Sequence, residues 1–173
     1  MIHKNKEKDD ALKAFIEANK NLHARLGGSL ALKLHGLNLC RKPKDVDVIV
    51  AHTGISLPEG FVILEENIPG RASDPKNLAV KHLPSDLALD VLEANTFEEK
   101  FNVVEGFPLE HPFPILKAKL EYVFKPQLSD DIRHKHAQDI AVILPQIDSS
   151  FLVLRDVEQG TSAASGEYWD LPF

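Results

Sequence analysis

Cysteine is almost absent from this chain: Cys40 stands alone among 173 residues. An internal disulfide is therefore excluded, which fits a reducing cytosol. Cys40 also has no Cys or His at zinc-like spacing, so it reads as a surface or packing thiol. Long apolar runs are missing too. No stretch approaches a membrane span, and the opening residues Met1-Ile2-His3-Lys4-Asn5-Lys6 lack the apolar region of a signal peptide. The expectation is a cytoplasmic protein with no membrane partner. Excess positive charge is lacking as well. A formal net charge of -6 argues against coating nucleic acid by charge alone, while leaving room for a local basic pocket. No internal repeat is visible. A chain with 43% hydrophobic and 27% charged residues is globular in composition and long enough for one domain with a real core.

Hydrophobic periodicity supplies the elements. From about Asp9 to Asn21 apolar residues recur at helical spacing, with Leu12, Phe15 and Ile16 on one side and Asp9 or Asp10 placed to cap. Leu22 to Leu26 reads as a short strand entering Gly27-Gly28, and Ser29 to His35 as a helix closed by Gly36. Asp45 to Ala51 is the clearest strand: valines 46, 48 and 50 face one way, Asp45, Asp47 and Ile49 the other. Phe61 to Leu64, Leu78 to Leu83 and Leu87 to Leu92 read as further strands, the last two joined by a turn at Pro84-Ser85-Asp86. Ile68 to Pro75 is a loop by composition. Two helices follow, Pro114 to Phe124 and Ser129 to Leu144, separated at Pro126 and ended by Pro145. This order predicts an α+β domain, a small mixed β-sheet flanked by helices with helices at the C-terminal end. It covers residues 1–157, with a core at about 22–95, a helical part at about 112–145 and a loose tail at 158–173.

Two features carry chemistry. Asp45 and Asp47, at i and i+2 of a strand, share a face about 7 Å apart along the backbone. Asp90 is an acid inside the otherwise apolar run Leu87 to Leu92, where an acid is out of place; Asp86 and Glu93 are weaker choices for a third carboxylate. Three converging acids make a hard-oxygen set suited to magnesium or manganese. Two carboxylates about 5 Å apart repel by roughly 3 kcal/mol at an effective dielectric near 20, against a net domain stability of about 5–15 kcal/mol. Such a cluster therefore needs a cation, a shared proton or basic neighbours. The bland alternative is a pair of acids on a half-wet strand. Gly27-Gly28-Ser29 lets backbone approach a ligand and opens a helix, a setting that holds phosphates; it also suits an ordinary strand-to-helix turn. On the helix from Ile115 to Phe124, Lys119 falls inside the apolar stripe, either as a phosphate contact or as a structural partner of Asp139. Arg41 precedes the acids and is placed to touch phosphate, or is a solvated loop arginine. His136 lies on the apolar face of the last helix, and His134, two residues away, diverges from it.

Gly27-Gly28-Ser29-Leu30-Ala31-Leu32 with Leu34-His35-Gly36, Arg41 and Asp45-Val46-Asp47-Val48 resembles the polymerase-β-like nucleotidyltransferase superfamily. The resemblance is closest to its minimal bacterial and archaeal branch, which includes abortive-infection and toxin-like members. It covers Leu26 to Val50 well and Asp90 to Leu144 more loosely; the interval from Ser29 to Asp45 is slightly longer than in many members. It implies a nucleotidyltransferase fold and transfer of a nucleoside monophosphate from a nucleoside triphosphate to an acceptor hydroxyl. Asp45, Asp47 and Asp90 would be the catalytic and metal-binding acids, with Mg2+ or Mn2+. Gly27, Gly28, Ser29, Arg41 and Lys119 would hold the nucleotide. The acceptor is open: a small molecule, a transfer RNA end or a protein, with Lys117, Lys119, Lys125, Arg133 and Lys135 as a patch for RNA. Self-association and toxin–antitoxin pairing are left open. The other class of reading is a non-catalytic nucleotide- or partner-binding module on the same fold.

Overall fold

The computed structural model describes residues 2–43, 45–67, 77–94 and 102–147. The expected loop at Ile68 to Pro75 and the tail at 158–173 lie outside these residues.

Helix α1 (Ile2–Ala18) opens the chain and buries Ala11, Leu12, Phe15 and Ile16, as their spacing predicts. It begins a full two turns before Asp9, so Asp9 and Asp10 lie within the helix and do not cap it. Asn19 pins its end: the side-chain amide donates to the Phe15 and Ser56 carbonyls, and its oxygen accepts from the Ser56 amide. The segment read as a strand from Leu22 divides. A 3-10 turn occupies Lys20–Leu22, His23 adopts a left-handed conformation, and only Arg25–Leu26 pair as β1.

Helix α2 (Gly28–Leu34) follows, then β2 (Asp47–Val50), β3 (Phe61–Asn67), β4 (Asn77–His82) and β5 (Leu87–Glu93). A hairpin of β6 (Asn102–Val104) and β7 (Phe107–Leu109), absent from the sequence reading, widens the sheet. The result is one seven-stranded mixed sheet in the order β3-β4-β5-β2-β1-β7-β6. β2 runs parallel to β5 and β1 parallel to β7; the other pairs are antiparallel. The fold is α+β, with a larger sheet than the sequence suggests.

Strand alternation decides which face is wet. Val48, Val50, Leu78, Val80, Leu87, Leu89 and Val91 point into the core with Leu12, Phe15 and Ile16, while Asp47, Ile49 and Asp90 take the opposite face. Helices α3 (Pro112–Val123) and α4 (Asp130–Ile143) pack as a hairpin. His111 caps α3, its Nδ1 accepting from the Phe113 amide, and Ser129 caps α4, accepting from the Ile132 amide. Asp130 and Asp131 in the first turn of α4 suit its dipole. No helix among the described residues is long and apolar enough to cross a membrane.

Candidate active site

The acid-bearing face of the sheet and the α3–α4 hairpin enclose a cavity of about 650 Å³. Gly28, Ser29, Arg41, Asp45, Asp47, Asp90 and Lys119 all line it. Gly27 is set back from the wall against Ile49 and ties the turn to the strand, its amide donating to the Asp47 carbonyl at 2.9 Å.

The sheet wall follows from β-strand register. Asp47 on β2 lies opposite Asp90 on parallel β5, and neighbouring strands are about 4.8 Å apart. The Asp90 amide donates to the Val46 carbonyl, which fixes that register one residue beyond the strand. Asp45, just before β2, is exposed. Burial raises the Asp47 carboxyl to a pKa of about 6, with Asp90 and Asp45 adding to the rise and Lys119 and Lys135 opposing it. Asp90 is also raised, by burial and then by Asp45. The three acids therefore feel one another. As they stand, no three His, Cys, Asp or Glu side chains among the described residues are gathered tightly enough to hold an ion.

The glycine turn belongs to this wall. A Cβ on Gly28 would fall 1.6 Å from Asp47 Oδ2, and its φ of +56° suits glycine. A Cβ on Gly27 would meet Ile49 Cγ1 at 2.7 Å. Both glycines are needed because the outer face of β2 lies directly on the turn.

The helix wall is organised around Asp139, which the sequence offered as a structural partner of Lys119 but not of Arg41. Asp139 on α4 is 1% exposed and accepts from both cations expected to meet phosphate. Arg41 grips it through Nε to Oδ1 at 3.1 Å and Nη2 to Oδ2 at 2.8 Å, and Lys119 Nζ donates to Oδ2 at 2.7 Å. Lys119 thus makes the structural pair with Asp139 that was one of its two readings, and it also lines the cavity. Lys119 and Arg41 donate in addition to Ser29 Oγ, at 3.2 and 3.4 Å. Burial pushes the Asp139 carboxyl up, but hydrogen bonds from Arg41 and Lys119 outweigh it and hold the group below the usual range. With one carboxylate set against two cations, the network presents net positive charge beside Ser29. Cys40 is exposed, and its thiol donates to Asp139 Oδ1 at 3.6 Å.

Two further features had no clear sequence signal. Arg25 and Glu110 form a buried ion pair, Nε to Oε2 at 2.7 Å, that joins β1 to the residue after β7 beneath the glycine turn. Tyr122 and His136 stack across α3 and α4 with ring centroids 4.9 Å apart. Of the lysines and arginine expected as a patch for RNA, Lys117, Lys125 and Lys135 line the cavity with Lys119. Arg133 is absent from that lining, and so is His134, whose ring pairs with Gln138 Nε2.

No family model and no curated protein sequence matches this chain. Among solved structures, the crystal structure of JHP933 from Helicobacter pylori is similar, at 19% identity with a TM-score of 0.42. The match covers 72% of this chain and 60% of that one, so it spans less than two thirds of that protein's length.

Proposed function

We propose that this protein is a metal-dependent nucleotidyltransferase, of the polymerase-β-like kind that its Gly-Gly-Ser and Asp-x-Asp motifs resemble. The observation that carries the reading is the contact of the Asp47 carboxylate with Gly28. It puts an acid suited to a metal and a turn suited to phosphate in one place, with the cationic Ser29–Lys119–Arg41 cluster at the next residue.

In donor chemistry the acids suit a divalent cation. They are hard oxygen donors, Asp47 and Asp90 are register neighbours, and Asp47 is raised to about pKa 6 in part by the other two. Asp45, Asp47 and Asp90 would hold Mg2+ or Mn2+, which supplies charge neutralisation of the reacting phosphate when bound. The chain's own groups do the rest. Ser29 Oγ and the cations of Lys119 and Arg41 would bind the β- and γ-phosphates. Asp139 fixes both cations in place beforehand, so little reorganisation is needed on binding. Held in line, the acceptor hydroxyl would attack the α-phosphorus while Asp90 accepts its proton, and pyrophosphate would leave toward the helix wall.

The spacing of the acids, too loose among the described residues for three-fold ligation, favours a second reading: a nucleotide-binding module without catalysis. One experiment separates the two. The protein is incubated with each α-labelled nucleoside triphosphate, Mg2+ and a cell extract, beside Asp47→Asn and Asp45→Asn. Transfer of label to an acceptor, lost with EDTA and in both variants, supports catalysis. Triphosphate binding without transfer supports the module. Transfer that survives in the variants rules out the assigned roles.

A further inference from the structure

One polar side chain of the helix wall is not accounted for by the network around Asp139. His136 lines the cavity with Ser29, Lys119 and Lys135. Its ring stacks on Tyr122 with planes 22° apart, and Lys125 Nζ lies over Tyr122 at 4.7 Å from the ring centroid. The His136 Nδ1 is buried and has no hydrogen-bond partner among the described residues. Buried ring nitrogens are seldom left unpaired, because the desolvation cost is then uncompensated. Nδ1 itself is closed to solvent, so a ligand in the cavity would reach the ring through Nε2.

We propose that His136 is a catalytic residue: it takes up a proton when a triphosphate docks beside Lys119, and it gives that proton to the departing pyrophosphate. This rests on the nucleotidyl-transfer reading above. The groups facing the ring set the sign. Burial, Lys119 and Lys135, then Arg41, hold His136 down to a pKa of about 4, with Asp139 pulling the other way. The free protein therefore carries a neutral imidazole at pH 7. Phosphate charge opposes those cations. One negative charge about 4 Å away, at an effective dielectric near 20, raises a pKa by about 3. That brings the imidazole to the neutral range, where general acids work best. In the transfer step the acceptor oxygen bonds to the α-phosphorus. The bond from the α-phosphorus to the α,β-bridging oxygen breaks and leaves its electron pair on pyrophosphate. His136 protonates that pyrophosphate, the acceptor's proton leaves through Asp90 to water, and solvent reprotonates the imidazole when the next triphosphate binds.

Calorimetric titration tests this with the α,β-methylene analogues of the four common nucleoside triphosphates and Mg2+, in two buffers of different ionisation enthalpy at pH 7. Wild-type protein should take up about half a proton on binding at this pH, and His136→Gln should bind while losing that uptake. The label-transfer rate of His136→Gln should fall about 100-fold or more, and the alkaline limb of the wild-type rate profile should vanish. Equal uptake in the two proteins, or transfer rates within about twofold, overturns the proposal and leaves the nucleotide site standing. Failure of wild-type protein to bind any analogue overturns the site and the proposal together. The unsubstituted protein gives a second readout: ring-proton NMR with and without inorganic pyrophosphate and Mg2+. The imidazole of lowest titration midpoint should move up by about 3; an unmoved midpoint overturns the proposal.

Discussion

At position 28 a single methyl group decides whether the turn and the strand can coexist. Its carbon would overlap Asp47 Oδ2, and the backbone is left-handed there. Gly28→Ala should cost about 1–2 kcal/mol from backbone conformation alone, and it should drive the carboxylate out of place. Thermal unfolding checks the first effect and loss of Mg2+-triphosphate binding the second; a variant of wild-type stability and affinity would refute the contact. Asp47 makes an opposite prediction. Its folded pKa of about 6 lies above the free value of 3.8. Its contribution to stability is thus fully present below about pH 3.8 and is lost as pH rises through about 6. Asp47→Asn removes the titrating group. The variant should be more stable than the parent at pH 8, by up to about 3 kcal/mol, and the gap should shrink toward pH 4. Denaturant titrations at both pH values measure this. A variant no more stable at pH 8 would mean that the Asp47 charge is not disfavoured by its burial and its neighbouring acids.

Between elements, the decisive link is the ion-pair network that ties α3, α4 and the loop before β2. Removing one partner of a buried pair costs about 3–5 kcal/mol, because the remaining charges lose their compensation. Asp139→Ala should lose that much in urea unfolding, and Lys119→Met in the same background should restore part of it. A loss below about 1 kcal/mol would show that the network contributes little. Much of this level was legible in the sequence. The acid faces of β2 and β5 follow from alternation, and the burial of Lys119 follows from its place on a helical stripe. A pattern tells which face is buried but not what it meets. Arg41 lies 98 residues from Asp139 and Arg25 lies 85 from Glu110, so neither pairing leaves a local trace. The β6–β7 hairpin was missed because three-residue strands, one containing Pro108, are too short to show a period. β1 shrank to two residues because the chain first turns at Lys20–Leu22 and His23.

At the scale of the molecule, the α+β architecture brings together two walls of opposite character in a chain of net charge -6. The sheet offers Asp45, Asp47 and Asp90; the hairpin and the loop before β2 offer Lys119, Lys135 and Arg41. Neither wall is a site alone. Burial, and then repulsion from Asp90 and Asp45, push Asp47 up, and Lys119 and Lys135 offset this only in part. In the proposed function a metal-bound triphosphate would complement both walls at once, its cation toward the sheet and its phosphates toward the helices. Such a ligand should stabilise the fold by mass action, more as its concentration exceeds Kd. The proposed site stands or falls on whether cation and triphosphate bind together and through these acids. Electron paramagnetic resonance of Mn2+, titrated with protein in the presence of α,β-methylene nucleoside triphosphates, measures this directly. Wild-type protein should remove the free Mn2+ signal stoichiometrically, and neither Asp47→Asn nor Asp90→Asn should do so. Uptake of Mn2+ unchanged in those variants, or none by the wild type, would contradict the site.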